Sequence, residues 1–149
     1  MKGTVLKHRP INSSDLPDIL KINNQVQLNP WTQADIEVEI SKQCNFSKAA
    51  LKEDKLVGYL LVRECGKDLE IMSIGVDQKH QRSGIGSALL KELIQSKPPS
   101  TELFLEVSHE NQPAQAIYLR MGFETYLVRK SYYGDGSNAL CMKLRLANP

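Results

Sequence analysis

Two glycines in segment 81–86, Gln-Arg-Ser-Gly-Ile-Gly, stand at a spacing that suits phosphate binding. Gly84 and Gly86 lie where a strand pattern gives way to a helix pattern. Such a turn directs backbone N–H groups and the positive end of the helix dipole towards one point. Tight strand-to-helix turns also use glycine for backbone reasons alone, so both interpretations stay open. Other nucleotide-binding motifs fit worse: a dinucleotide fingerprint needs a small residue where Leu89 stands, and the Gly-Lys-Ser/Thr of a nucleoside triphosphatase loop is absent.

Beyond the next predicted helix lie three residues whose side chains could take part in catalysis or binding. Glu106 interrupts the apolar strand pattern 103–107, either as a carboxylate partly removed from water or as one on the solvent face. Asn111, two residues before Pro113, has the position of a helix cap. Tyr118 fits a core aromatic by spacing alone. These patterns leave the roles of all three open.

The cysteines and histidines predict neither a metal site nor a nucleophile. Cys44, Cys65 and Cys141 are odd in number and widely separated, which favours neither disulfides nor zinc. Cys141 is interpreted as a buried structural cysteine. His80 and His109 are interpreted as solvated loop residues.

The composition is that of an ordinary globular protein. The chain has 149 residues, of which 41% are hydrophobic and 24% charged, and this predicts one domain over residues 1–149. A net charge of +2 is too small to indicate direct nucleic-acid binding. No signal peptide or membrane span is apparent, so we expect a cytoplasmic protein without membrane contact, as a monomer or weak dimer.

Hydrophobic periodicity predicts the element order β-α-α-β-β-β-α-β-α-β-β, a mixed α/β sheet with helices on its faces. Segment 13–15 resembles a helix cap, and Thr32 with Asp35 resembles a capping box. Pro98 ends the third helix and Gly122 the fourth. The predicted strands are 4–9, 46–52, 55–64, 68–77, 103–107, 123–132 and 138–146, and the first helix covers about 14–27.

The glycine turn and its surroundings resemble the GNAT superfamily of N-acetyltransferases. Segment 81–86 matches the superfamily pattern Gln/Arg-x-x-Gly-x-Gly/Ala in full, and the element order is also the superfamily's. The flanking matches are Ile74-Gly75-Val76-Asp77 before the turn and Leu105-Glu106-Val107, Asn111, Tyr118 and Gly122-Phe123 after it. The resemblance implies an α/β (α+β) fold with a seven-stranded, mixed and mostly antiparallel sheet. This sheet would be splayed between strands 4 and 5, with helices on both faces.

The resemblance also implies acetyl-CoA as cosubstrate, without a metal. An N–H group near Val76 would polarise the thioester carbonyl, and segment 81–86 would hold the pyrophosphate. The residues implied to bind the cosubstrate are Ile74, Gly75, Val76, Arg82, Ser83, Gly84, Ile85, Gly86, Ser87 and Asn111.

Catalysis in the superfamily implies direct attack of an amine on the thioester. The resemblance places Glu106 on the proton acceptor and Tyr118 on the proton donor. We expect Trp31, Tyr132 and Tyr133 to line the acceptor groove.

Within the superfamily the chain looks most like the bacterial ribosomal-protein alanine N-acetyltransferases. The matching features are segment 29–32 (Asn-Pro-Trp-Thr), Gln81-Arg82, and Arg129-Lys130 with Tyr132-Tyr133. Departures lie at Glu110, Pro113 and segment 137–139. The implied partner is the amino terminus of a ribosomal protein. The alternatives are acetylation of a small-molecule amine and a CoA-binding module without catalysis.

Overall fold

The computed structural model describes residues 6–145. Seven strands and four helices follow one another there in the predicted order, with short 3-10 helices at Ser13–Asp15 and Gln78–His80. Parts of the first and last predicted strands, residues 4–5 and 146, lie outside the described residues. The elements are β1 (Leu6–Pro10), α1 (Leu16–Val26), α2 (Gln33–Ser41), β2 (Lys48–Lys52), β3 (Lys55–Cys65), β4 (Asp68–Val76), α3 (Ile85–Ser96), β5 (Leu103–Ser108), α4 (Gln112–Arg120), β6 (Glu124–Arg129) and β7 (Ala139–Leu144).

The strands form a seven-stranded sheet in the order β1-β2-β3-β4-β5-β7-β6. The pairs β1–β2, β2–β3, β5–β7 and β6–β7 are antiparallel, and β4–β5 is parallel. The parallel ladder joins 69–71 to 103–105, although β4 continues to Val76 and β5 to Ser108. The splay between strands 4 and 5 stays a prediction. The prediction of a mixed, mostly antiparallel seven-stranded sheet is confirmed.

The chain divides into two compact units. The first contains the described residues up to Arg63 together with Ser73–Lys97. The second contains Glu64–Met72 together with the described residues from Pro98 onward. The glycine turn lies in the first unit, and Glu106 lies in the second.

Helix α1 and the 3-10 helix before it begin at a cap that differs from the predicted one. The side chain of Asn12 accepts from the Ser14 N–H, and Asp15 accepts from the Asn12 N–H at 2.9 Å. The side chain that caps the 3-10 helix is that of Asn12, one residue before the predicted segment 13–15, whereas Asp15 of that segment immediately precedes α1. Thr32 accepts from the Asp35 N–H at 3.1 Å, so the predicted start of α2 is confirmed.

The core of the first unit forms from apolar side chains of its helices and strands. Full burial of a leucine or isoleucine contributes about 1.5–3 kcal/mol relative to exposure, so these residues hold the elements together. The buried residues include Ile19, Ile22, Ile36, Tyr59, Leu60, Ile85, Leu89 and Leu90.

The second unit is built around β5, which pairs with β7 along its whole length. Helix α4 ends where Gly122 adopts φ 101°, and the Phe123 N–H donates to the Tyr118 carbonyl at 3.0 Å. That is the glycine-terminated helix that the sequence predicts. The edge strand β6 is exposed along its length, with a bulge between Thr125 and Leu127.

Candidate active site

The glycine turn leads directly into α3. Gly84, the residue before the helix, has φ 85° and ψ 8°, a left-handed conformation that favours glycine. Arg82 is also left-handed, with φ 65°. The Ser83 hydroxyl donates to the His80 carbonyl and so stabilises the turn. Arg82, Ser83 and Gly84 are all exposed.

The amino-terminal turn of α3 fits an anionic group. Within the described part of the chain no side chain caps these N–H groups, and the first turn has no acidic residue. A Cβ added at Gly84 would meet no atom within 4 Å, so the space beside the turn is open. The first N–H groups of a helix lack intrahelical partners and lie at its positive end, which suits a phosphate. Ile85 is buried, and Gly86 and Ser87 are half-buried in the same turn.

The last part of β4 contains Ile74, Gly75 and Val76. The side-chain amide of Gln27 donates to the Ile74 carbonyl at 2.6 Å, and that of Gln81 donates to the Val76 carbonyl at 3.2 Å. Alternate strand residues direct their backbone groups to opposite edges, so Ile74 and Val76 face the same edge. The Gln81 contact links the glycine turn to that edge.

Gly75 allows an aromatic ring to cross β4. A Cβ at this position would lie 2.7 Å from Cε2 of Tyr59. The Tyr59 hydroxyl shares a hydrogen bond with the Ser73 hydroxyl at 2.9 Å and accepts from Gln27 at 3.2 Å. Burial raises the pKa of Tyr59, so its phenol stays protonated. A glycine inside a strand often marks a place where another group approaches the backbone closely. At Gly75 that group is the ring of Tyr59.

Glu106 lies on β5 beside residues of β6 and β7. Its Oε2 accepts a hydrogen bond from Nε of Arg129 at 3.0 Å. The Cys141 thiol donates to the same oxygen over 3.5 Å. The Glu106 side chain is 28% exposed to solvent. The carboxylate is thus partly removed from water and is paired with a cation.

Two tyrosines of the β6–β7 loop are electrostatically coupled to this carboxylate. The charge of Glu106 raises the pKa of Tyr132, and burial adds to the rise. Burial raises the pKa of Tyr133 to about 12, with the charge of Glu106 as the next cause. The two rings meet edge to face, with centroids 5.1 Å apart. Both phenols stay protonated at neutral pH and can donate hydrogen bonds.

Arg129 and Cys141 are contacts of Glu106 that the sequence patterns did not assign. Cys141 is buried, as predicted, but it stands directly opposite Glu106 in the β5–β7 register. Arg129 is paired with Ala139 in the β6–β7 register and reaches Glu106 with its long side chain. The pair Arg129-Lys130 supports the family resemblance in the sequence, but only the strand register shows that Arg129 contacts Glu106.

Asn111 and Tyr118 lie at the two ends of α4. Asn111 Oδ1 accepts from the Ala114 N–H at 3.3 Å, so the predicted helix cap is confirmed. Tyr118 is 8% exposed, and its ring centroid lies 5.8 Å from that of Phe123. This is the core position that spacing alone favoured. Its role as a proton donor stays a prediction.

The predicted site residues fall in both compact units, and contacts bring some of them together within each unit. In the first, Val76 meets Gln81 of the turn. In the second, Glu106 contacts Arg129 and Cys141 and is electrostatically coupled to Tyr132. The side chain of Asn23 bonds both the N–H and the carbonyl of Trp31, at 3.1 and 2.9 Å, which fixes the backbone there.

A family model described as the acetyltransferase (GNAT) family matches residues 16–123. The chain belongs to the GNAT family of acetyltransferases. Acetyl-CoA is the acyl donor of this family, and the enzyme class is that of the N-acetyltransferases. The open, uncapped start of α3 fits the pyrophosphate of that cosubstrate.

Two relatives and one solved structure share most of their length with this GNAT chain. The N-alpha-acetyltransferase RimI of Mycobacterium tuberculosis is 32% identical over 126 residues, covering 81% of this chain and 79% of that protein. The ribosomal protein bS18-alanine N-acetyltransferase of Escherichia coli K12 is 28% identical over 143 residues, covering 92% and 95%. The crystal structure of the ribosomal-protein alanine N-acetyltransferase from Escherichia coli superposes with a TM-score of 0.85 at 25% identity, covering 97% and 96%.

A fourth relative is a longer protein. It is an uncharacterised protein of Mycobacterium leprae that is 33% identical over 120 residues. The match covers 77% of this GNAT chain but only 33% of that protein.

Within residues 6–145, no helix is long and apolar enough to cross a membrane. The same residues contain no group of three His, Cys, Asp or Glu that could hold a metal ion.

Proposed function

We propose that this enzyme acetylates the α-amine of an N-terminal alanine, with a small-subunit ribosomal protein as its acceptor. Glu106 acts as the general base and Tyr118 as the general acid. The observation that carries the proposal is the Glu106 carboxylate, which is partly exposed on β5 and coupled to two protonated phenols. Two relatives that share most of their length with this chain are named as α-amine or alanine N-acetyltransferases, which supports the choice of acceptor.

The acceptor amine must lose protons to form an amide. A peptide α-amine has a pKa near 7.7–8.0, so most of it is protonated at pH 7. Glu106 accepts a proton, which leaves the nitrogen lone pair free to attack the carbonyl of the acetyl thioester. The phenols of Tyr132 and Tyr133 are donors beside Glu106 and are proposed to contact the acceptor. Trp31 is proposed as a further acceptor contact.

The donor side of the reaction needs charge stabilisation and a proton. Acetyl-CoA supplies the acetyl thioester. The backbone N–H of Val76 is proposed to polarise the thioester carbonyl, and the α3 start to hold the pyrophosphate. As the new C–N bond forms, the C–S bond breaks, and Tyr118 donates its proton to the departing thiolate. The second amine proton passes from the nitrogen to water, and exchange with water returns Glu106 and Tyr118 to their starting protonation states. Asn111 is proposed to contact the pantetheine arm.

A peptide panel tests the acceptor. One peptide begins with a free alanine and contains no lysine, a second has the same sequence with a formylated amino terminus, and a third is the second with one added lysine. Spermidine and free alanine represent small amines. We expect thiol release and a product heavier by one acetyl group with the first peptide, at a rate about tenfold or more above that of every other acceptor. Equal or faster turnover of the lysine peptide or of the small amines would contradict the proposal.

A further inference from the structure

The carboxylate of Glu106 receives two hydrogen bonds on one oxygen. Arg129 Nε donates to Oε2 at 3.0 Å, and the Cys141 thiol donates to the same Oε2 over 3.5 Å. A carboxylate has two oxygens, and both of these donors hold the same one. The orientation of the group is therefore fixed by two contacts from different strands.

The two donors converge because of the strand order. Strand β7 lies between β5 and β6, so Cys141 stands next to Glu106 and Arg129 reaches it from one strand further away. Cys141 is almost fully buried, and burial raises the pKa of its thiol. The sulfur thus keeps its proton at neutral pH and acts as a donor.

Arg129 is itself held in place. Its guanidinium carbon lies 5.9 Å from the centroid of the Tyr132 ring, within the range of a cation–π contact. The ion pair with Glu106 is open to water on the arginine side, where the side chain is 51% exposed. Exposed ion pairs add little to folding stability, so a contact of this kind acts mainly through geometry.

We propose that Arg129 and Cys141 are positioning residues that anchor Oε2 of Glu106 and direct Oε1 to the acceptor amine. This inference rests on the proposed function, in which Glu106 is the general base. A base must lie within hydrogen-bond reach of the proton that it takes, and a misplacement of about 1 Å can lower a rate roughly 100-fold. The anchored oxygen is already occupied by two donors, so the other oxygen is the one that accepts the proton.

Two substitutions at Arg129 distinguish its effect on the orientation of Glu106 from the effect of its positive charge. Arg129→Gln removes the cation and the Nε contact, and Arg129→Lys keeps the cation but not the planar guanidinium. Lys130→Gln, at the exposed neighbouring residue, is the matched control for the change in net charge. We expect Arg129→Gln to lower kcat about tenfold and Arg129→Lys to lower it about threefold, because both misplace a base that must reach its proton. The KM for acetyl-CoA and the Tm should be unchanged, and Lys130→Gln should match the wild type.

Substitutions at Cys141 test the second anchor. Cys141→Ser keeps a hydroxyl donor of similar size, whereas Cys141→Ala removes the donor. We expect Cys141→Ser to keep kcat within about twofold and Cys141→Ala to lower it more, because only the alanine variant loses the bond to Oε2. Thermal unfolding identifies any loss caused by misfolding. If the serine and alanine variants are equally active at the same Tm, Cys141 is not an anchor.

A double variant distinguishes this inference from the proposed function. If Arg129 acts through Glu106, Arg129→Gln has no further effect on kcat in the Glu106→Gln background. A full additional loss there would show that Arg129 works independently of Glu106 and would overturn the positioning role. If Glu106→Gln is slow but Arg129→Gln matches the wild type, the inference fails and the general base stands. If Glu106→Gln itself is fully active, the general-base role fails, and the positioning role fails with it.

Discussion

Glu106 is the residue that we propose as the general base. Its carboxylate is partly exposed and lies beside two phenols that stay neutral, one of them with a pKa raised to about 12. Neutral phenols can donate hydrogen bonds without taking up a proton. The proposed function therefore assigns proton transfer to the carboxylate and hydrogen bonding to the tyrosines.

Glu106→Gln tests this assignment. Glutamine keeps the size of the side chain but cannot accept a proton from an ammonium group, so we expect kcat for peptide acetylation to fall about 100-fold or more. Acetyl-CoA affinity, measured by calorimetry, should stay within about twofold because the glycine turn that we propose to hold the pyrophosphate is not altered. Glu110→Gln, an exposed carboxylate two residues beyond β5, is the control for the change in charge and should match the wild type. A Glu106→Gln enzyme with the wild-type kcat would contradict the assignment.

At the scale of elements, the amino-terminal ends of α3 and α4 hold residues that we propose to bind acetyl-CoA. The open amino terminus of α3 has backbone N–H groups for a phosphate, whereas that of α4 is closed by the Asn111 side chain. Asn111 thus already has a structural role, and a second role in binding must be separated from it by experiment. Its side chain has an oxygen that caps the helix and an amide nitrogen that can donate.

Two substitutions at Asn111 separate capping from binding. Asn111→Asp keeps a capping oxygen but loses the amide donor, so we expect unchanged stability and a several-fold rise in the KM for acetyl-CoA. Asn111→Ala loses both, and we expect a further loss of about 1 kcal/mol in the free energy of unfolding. Urea unfolding and steady-state kinetics measure the two effects. If Asn111→Asp binds acetyl-CoA like the wild type, the residue is a cap and nothing more.

Helix α2 is joined to β3 by a buried carboxylate. Glu39 accepts from Arg63 at 2.8 Å and from Lys42 at 2.8 Å, and its side chain is only 2% exposed. Burial alone raises the pKa of Glu39, but the bonds from Arg63 and Lys42 outweigh burial and lower it below the ordinary 4.5. A carboxyl whose pKa is lower in the folded protein stabilises it above the unfolded pKa. That stabilisation is lost as the pH falls through the folded value.

Glu39→Gln therefore has an effect that depends on pH. At pH 7 we expect a loss of roughly 1–3 kcal/mol in the free energy of unfolding, because two charge-assisted bonds are weakened. The difference from the wild type should shrink as the pH is lowered from about 4.5 towards 2. Urea unfolding at several pH values measures it. Glu37→Gln, on the exposed face of the same helix, is the control, and a loss that did not change with pH would contradict the ionic origin.

At the scale of the whole molecule, one domain is proposed although the described chain divides into two compact units. Strands β3 and β4 each contribute residues to both units, so neither unit has a complete set of strands alone. We therefore expect the units to unfold in one cooperative transition. Acetyl-CoA at about 100 times its Kd should add roughly 2.7 kcal/mol, which is a Tm rise of about 5–10 °C. Calorimetry that resolved two transitions would contradict the single domain.

The sequence predicts those features that depend on neighbouring residues. The caps at Thr32 and Asn111 and the end of α4 at Gly122 follow from local hydrogen bonds and backbone conformation. The cap at Asn12 was missed because segment 12–15 offers several capping residues in a row, and only the backbone conformation selects one.

Contacts between distant strands could not be predicted in this way. The meeting of Arg129 and Cys141 at Glu106 requires the order β5-β7-β6 and the register of both ladders. The bulge next to Leu127 shifts the second register by one residue. No local pattern specifies that shift, because it depends on pairing with a strand that lies later in the chain.

The position of the transferred acetyl group is the most direct test of the central claim. A peptide that begins with a free alanine and has one internal lysine is incubated with acetyl-CoA and the enzyme, and fragment masses locate the acetyl group. We predict that the alanine α-amine is acetylated and the lysine is not. Acetylation confined to the lysine, or a peptide left unmodified while a small amine is acetylated, would contradict N-terminal acetyl transfer.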